Sequence, residues 1–246
     1  MPVLGLIFPP AGRGVPEEGV ALYGDQLRFA VTGLGVERMT AEDFDSVLAR
    51  IPAAAEQLAA AGADAIELTG TSLTFYKGEA FNQQLCEIVS RTSGLPATTM
   101  SNGVIDALKA VGARRVAAVT AYNDDVNTRL RAFLLEHGLE PAGITGLGIE
   151  AMTDIARVTQ NDLIEWGTRA RESAPTADAL LVSCGGFRTL EIIAPLEARL
   201  GIPVISSMPH GLWAGARLVG LSGTAPGYGA VLSGHRSVAA RPFTGS

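Results

Sequence analysis

Cysteine and histidine are scarce in this chain, and the scarcity removes whole classes of chemistry. Cys86 and Cys184 are the two cysteines, and His137, His210 and His235 the three histidines. Two distant thiols make no disulfide framework. Histidines without i, i+4 pairing supply no metal motif, so no metal site is expected. Clustered positive charge is missing too: a net charge of −6 is spread along the sequence without a Lys/Arg patch, which argues against nucleic acid as a partner. No apolar run reaches the roughly 18 residues that a membrane span needs, and the opening MPVLGLIFPPAGRG lacks the basic n-region of a secretory signal. No membrane partner and a cytoplasmic location are therefore expected. Neither G-x-G-x-x-G nor G-x-x-x-x-G-K-[ST] occurs, so no nucleotide or dinucleotide cofactor is expected either.

What is present is apolar and periodic. With 246 residues, 47% of them hydrophobic, the chain can bury a sizeable core. Short runs bounded by Gly or Pro predict strands at Val3 to Phe8, Ala63 to Leu68, Leu95 to Met100, Arg115 to Thr120, Ala177 to Ser183 and Ile202 to Ser207. Between them, segments such as FNQQLCEIVSRT, NGVIDALKAVG, DDVNTRLRAFLLEHG, NDLIEWGTRARES and TLEIIAPLEARLG carry helical spacing, several closed by glycine. Strands alternating with helices predict an α/β fold with parallel sheets covered on both faces.

The sequence also repeats. ADAIELTGTS from Ala63 lies without gaps on ADALLVSCGG from Ala177, and each is followed by a helix and a Gly-apolar-Pro strand, at Gly94 and Gly201. The opening strands match as well, Val3 against Val116. The expectation is two similar α/β halves related by duplication. Residues 1–100 with 210–246 would form one half and 101–209 the other, with the site in the cleft between them, beyond the carboxyl ends of the strands.

Cys184 falls at such a strand end, with Gly185 and Gly186 behind it. The glycines let backbone N–H groups approach a ligand, and a helix N-terminus is expected just beyond, a setting for a reactive or proton-donating thiol; the plain alternative is a buried structural cysteine. Its counterpart in the first half is Gly70. Two facing thiols could exchange protons on both faces of a carbon, whereas one thiol protonates only its own face. Thr71 and Ser72 follow Gly70 and offer hydroxyls and N–H groups to an oxyanion, or act simply as a helix cap. Tyr122 ends a strand at the same rim, as a site phenol or a half-buried core aromatic. Asp124 and Asp125 would cap the next helix. Pro9, Pro10 and Gly12 form a rigid lip, and Cys86, on a helix beside Phe81, Leu85 and Val89, is assigned to packing.

At these residues the sequence resembles the aspartate/glutamate racemase superfamily and, within it, the arylmalonate decarboxylase family. The likeness runs through FPPAGRG, LYGDQLRFAVTGLG, TGTSLTFYKGEAFN, LPATTMS, ARRVAAVTAYNDDVN, LLVSCGGFRTLE and APGYG. Superfamily racemases and the related maleate isomerases carry a cysteine in each half, while Gly70 with Cys184 is the decarboxylase pattern. The resemblance implies a cofactor-free reaction on a small-molecule carboxylate. One malonate carboxylate would sit in a dioxyanion hole of Thr71, Ser72, Tyr122, Cys184, Gly185 and Gly186, with Pro9 and Gly70 beside the substrate. The other would lose its solvation in an apolar pocket of Val36, Met39, Leu73, Ile149 and Met152 and leave as carbon dioxide. Cys184 would then protonate the enediolate from one side to give one enantiomer of an α-aryl acid. A maleate isomerase or Asp/Glu-type racemase of a small dicarboxylate is the alternative reading, and a non-catalytic carboxylate-binding protein a third.

Overall fold

The computed structural model describes residues 1–234; residues 235–246, which include His235 and the end of the expected first half, lie outside the described residues. Two parallel four-stranded sheets make up the molecule. The first contains β1 (Val3–Phe8), β2 (Arg28–Gly33), β3 (Ala65–Leu68) and β4 (Ala97–Thr99) in the order β2-β1-β3-β4. The second contains β5 (Arg115–Thr120), β6 (Glu140–Gly146), β7 (Ala179–Ser183) and β8 (Val204–Ser206) in the order β6-β5-β7-β8. The two orders are the same, as duplication requires. The inner strands β1, β3 and β7 are buried along their whole length, and β5 is exposed only at its first residue, which is why they read in the sequence as unbroken apolar runs.

Two strands went unpredicted, β2 and β6. Both are sheet edges and only half-buried, and β6 carries Pro141 and Gly143 beside a register shift in its pairing with β5. An edge strand needs neither a continuous apolar run nor every N–H, so it leaves a weaker pattern. The pairing also corrects the alignment of the opening strands by one residue. Leu6 lies beside Glu67, and Ala118 beside Leu181, the repeat partner of Glu67. Val3 therefore matches Arg115 rather than Val116, and Pro10 matches Tyr122.

The first sheet is followed through α1 (Glu17–Tyr23), α2 (Ala41–Val47), α3 (Ile51–Ala60), the short α4 (Thr71–Phe75), α5 (Glu79–Ser93) and, after β4, α6 (Met100–Ala110). The second sheet is followed through α7 (Asp124–Glu136), α8 (Gln160–Ser173), α9 (Leu190–Leu200) and α10 (Ser207–Leu218). Asn123, not Asp124 or Asp125, caps α7: its side chain accepts the Val126 N–H at 3.1 Å, and the two aspartates fall in the first turn. Helices α6 and α10 bind the sheets together. Each touches β4 and β8, and α10 also lies on β3. They meet where a side chain on Gly103 would come within 2.7 Å of the His210 carbonyl oxygen and 2.9 Å of Gly211 Cα, so the backbones can approach only because position 103 is glycine. Among the described residues no helix is long and apolar enough to cross a membrane.

Candidate active site

The carboxyl ends of β1, β3, β5 and β7 converge on one small, nearly closed pocket of about 20 Å³. Pro9, Met39, Gly70, Thr71, Ser72, Tyr122, Met152, Cys184, Gly185 and Gly186 all face it. Gly70 and the Cys184 turn are direct neighbours: a Cβ on Gly185 would stand 4.0 Å from the Gly70 nitrogen. Val36, Leu73 and Ile149 do not line the pocket. Val36 and Leu73 are buried in the core, and Ile149 packs half-buried against it. Their backbones still shape the wall, with the Val36 N–H donating to Pro9 O at 2.8 Å and the Ile149 N–H to Ala121 O at 2.7 Å.

On the first-half side the chain passes from β3 through Gly70 directly into α4. Gly70 has φ +89°, and a Cβ there would collide with Pro9 Cγ at 2.3 Å, so conformation and space both require glycine. The N–H groups of Thr71 and Ser72 are at the open end of the helix, where no intrahelical acceptor exists. Thr71 Oγ1 donates to Ser207 Oγ at 2.6 Å, Ser101 Oγ donates to Thr71 O at 3.1 Å, and Thr74 Oγ1 and Ser101 Oγ are hydrogen-bonded at 2.6 Å. This buried network fixes where the donors point.

The second-half side is built differently. Sγ of Cys184 accepts the Gly186 N–H at 3.4 Å, and the chain then turns, with Phe187 N–H on Cys184 O at 3.2 Å. The expected helix, α9, begins at Leu190 after a short turn behind the glycines. Its first N–H groups are taken by Glu18 of α1, whose Oε1 accepts from Thr189 N at 2.7 Å and Leu190 N at 2.8 Å. The helix dipole is thus answered by a carboxylate rather than aimed at the thiol. Burial pushes Cys184 up to about 11, opposed by the Gly186 N–H, the charge of Arg13 and the Phe187 N–H. At neutral pH the group is an S–H, a proton donor.

Tyr122 spans the two sides. Its hydroxyl lies 3.0 Å from Ser183 Oγ and is within reach of Thr71 and Ser72, and its ring stands edge-on to Phe75 at 5.7 Å. Asn127 holds its backbone, accepting from Thr120 Oγ1 at 2.7 Å and donating to Tyr122 O at 3.1 Å. Burial raises its pKa, so it too stays protonated and able to donate.

Segments following β2 and β6 meet over the pocket. Met39 N–H donates to Glu150 O at 2.8 Å and Met152 N–H to Glu37 O at 3.0 Å, beside an Arg38–Glu150 ion pair and an antiparallel bridge from Arg38 to Ala151. This brings Met39 and Met152 together as an apolar cover. Phe8, Arg13, Phe44, Thr69 and Met208 also reach the pocket and were not singled out from the sequence. Arg13 sat in the quoted FPPAGRG, where a cation beside a candidate thiol was a legible signal. Phe44 and Met208 come from helices whose facing residues only the tertiary fold selects. The other cysteine and the described histidines lie elsewhere: Cys86 Sγ donates to Ala97 O at 3.2 Å within the packing of α5, His137 Nε2 lies 3.0 Å from Glu79, and His210 is buried with its pKa lowered to about 4. Among the described residues, no three His, Cys, Asp or Glu side chains gather in a metal-binding cluster.

The sequence matches a family model described as arylmalonate decarboxylase over residues 4–232. It is 47% identical to an arylmalonate decarboxylase of Bordetella bronchiseptica across 93% of this chain and 95% of that protein. The fold superposes with a TM-score of 0.92 and 44% identity on a liganded double variant of arylmalonate decarboxylase, covering 95% of this chain and all of the other. That variant exchanges a glycine for cysteine and a cysteine for serine at two positions as far apart in sequence as Gly70 and Cys184. A maleate isomerase from Pseudomonas putida S16 shares the fold at a TM-score of 0.87 with 23% identity, over 95% of this chain and 98% of its own.

Proposed function

The chain belongs to the arylmalonate decarboxylase family, and from that membership we propose that it is a carboxy-lyase releasing carbon dioxide from α-aryl, disubstituted malonates to give one enantiomer of the α-aryl acid, without a cofactor. The observation that carries the stereochemistry is the pairing of one buried, protonated thiol, Cys184, with a glycine, Gly70, in the matching position of the other half.

In this reading the carboxylate that stays is held by the hydroxyls of Thr71, Ser72 and Tyr122 and by N–H groups of Thr71, Ser72 and the Gly185–Gly186 turn. The leaving carboxylate faces Met39, Phe44 and Met152, where it has lost water and gained no partner. The bond from the α-carbon to that carboxylate breaks, its electron pair stays with the α-carbon, and the resulting enediolate places its charge on donors already aimed at it. The Cys184 S–H bond then breaks and a C–H bond forms on the face turned to sulfur. The thiolate left behind is stabilised by the Gly186 N–H until water in the outer cleft returns a proton. The sum is one proton taken up and one carbon dioxide released.

We assign residues 1–100 with 210–246 to one half and 101–209 to the other. The packing of α10 on β3 and β4 supports this division. A cytoplasmic location is part of the same proposal. Incubation with phenylmalonate tests the reaction. Carbon dioxide and optically active phenylacetate analogues from α-methylated substrate, with no need for added metal or nucleotide, support it. Silence on malonates together with turnover of maleate or of an amino dicarboxylic acid would replace it with the isomerase or racemase reading.

A further inference from the structure

The small pocket opens through Pro10, Arg13, Met152 and Gly186 into a larger cleft of about 530 Å³, lined further by Glu17, Glu18 and Arg188. With a carboxylate on the donors of α4 and the Cys184 turn, the inner pocket cannot hold the rest of a disubstituted malonate. The larger substituent must pass out through this mouth. Arg13 stands there with its guanidinium 5.1 Å from the centre of the Phe8 ring, half-buried and, among the described residues, without an ion pair or a hydrogen bond. The other charges of the cleft are already answered: Glu17 pairs with Arg188, and Glu18 is bound by the N–H groups of Thr189 and Leu190. Its nitrogens are open to the cleft and have no protein acceptor, so a ligand entering there can take them in place of water.

Resting on the decarboxylase reading above, the geometry points to Arg13 as a specificity-determining residue that recognises an anionic group, a carboxylate in the first instance, at the far end of the substrate's larger substituent. The preferred substrates are then malonates whose aryl group itself bears an acid. The planar fork of arginine fits a carboxylate through two parallel N–H bonds, and its seat on Phe8 fixes the plane of that fork.

The test compares 4-carboxyphenylmalonate with 4-methylphenylmalonate in the wild type, Arg13→Leu and Arg13→Lys. The readout is the ratio of kcat/KM for the acid over the methyl compound. The wild type should favour the acid at least about tenfold, Arg13→Leu should lower the ratio by about tenfold or more, mainly through KM of the acid, and Arg13→Lys should restore part of it. An unchanged ratio in Arg13→Leu overturns the inference, even if both substrates slow together, because that pattern assigns Arg13 to the thiol or to the fold. Should neither malonate be decarboxylated, the reaction reading fails by itself. Calorimetric binding of 4-carboxyphenylacetate against 4-methylphenylacetate then decides the role of Arg13: tighter binding of the diacid that Arg13→Leu abolishes upholds it, and equal binding overturns it.

Discussion

The loops after β3 and after β7 leave matching strands at matching places, yet one runs straight into a helix and the other turns first. After Leu68 the chain passes through Gly70 into α4 and delivers hydroxyls and free N–H groups; after Val182 it passes through Cys184 and a glycine turn and delivers a thiol, its helix starting only at Leu190. A duplicated scaffold thus holds a carboxylate from one side and donates a proton from the other. The division needs few substitutions because the strands fix the positions and the loops only choose the atoms. The same contrast recurs inside the sheets. Glu67 of β3 is buried with both carboxylate oxygens unpartnered, while its repeat mate in β7 is Leu181.

The contrast breaks most severely when its thiol is removed. Cys184→Ser should lower kcat by roughly 10³-fold, since a serine hydroxyl is a far weaker acid than a thiol, while the melting temperature stays near that of the parent. Steady-state kinetics beside a thermal melt checks both halves of that statement. Loss of a donor at the junction of the two sides comes next: Tyr122→Phe should lower kcat by about 10²-fold, with smaller effects for Ser72→Ala, measured as single-turnover carbon dioxide release.

Glu67→Leu copies the second half's residue into the first and should stabilise the protein. Burial pushes the Glu67 carboxyl up to about 8 from its ordinary value of 4.5. Between those values the folded state keeps a proton that the unfolded state has released, so stability falls as pH rises from about 4.5 toward 8 and levels off above it. The gain from the leucine should therefore be on the order of a few kcal/mol at pH 8.5 and shrink toward pH 5. Denaturant melts at the two pH values give the sign; a larger gain at pH 5 would refute it. The mildest expectation concerns Cys184 itself. With its pKa near 11, activity should be insensitive to thiol ionisation through pH 9, and the alkaline limb should fall only as pH approaches 11. A pH–rate profile paired with the difference in thiolate absorbance between wild type and Cys184→Ser locates that limb.

The inner strands, the long helices and the duplication were all legible, because strands buried on both faces leave unbroken apolar runs and two copies of one pattern reinforce each other. The edge strands were not. Half-exposed β6 with Pro141 and Gly143 satisfies a sheet without advertising one. At the site, Cys184, Gly70, Thr71, Ser72 and Tyr122 could be placed because each follows a recognisable strand. The apolar wall was harder. Met39 and Met152 reach the pocket only through a bridge between segments far apart in sequence, and Val36, Leu73 and Ile149, adjacent in chain or pattern, turn into the core instead. Nothing local distinguishes a side chain that faces a cavity from one that faces the next helix. The capping of α9 was not legible for a related reason: its acceptor is Glu18, far away on α1.

The claim that one thiol opposite one glycine sets the product's handedness is tested most directly by exchanging them. Gly70→Cys combined with Cys184→Ser moves the proton donor to the other face of the enediolate, at the expense of a residue with φ +89° pressed against Pro9, a strain of about 1–3 kcal/mol. Chiral chromatography of the acid formed from α-methyl-α-phenylmalonate should show the opposite enantiomer from the wild type, produced more slowly. The same enantiomer as the wild type, at any rate, would mean that protonation does not come from these two positions.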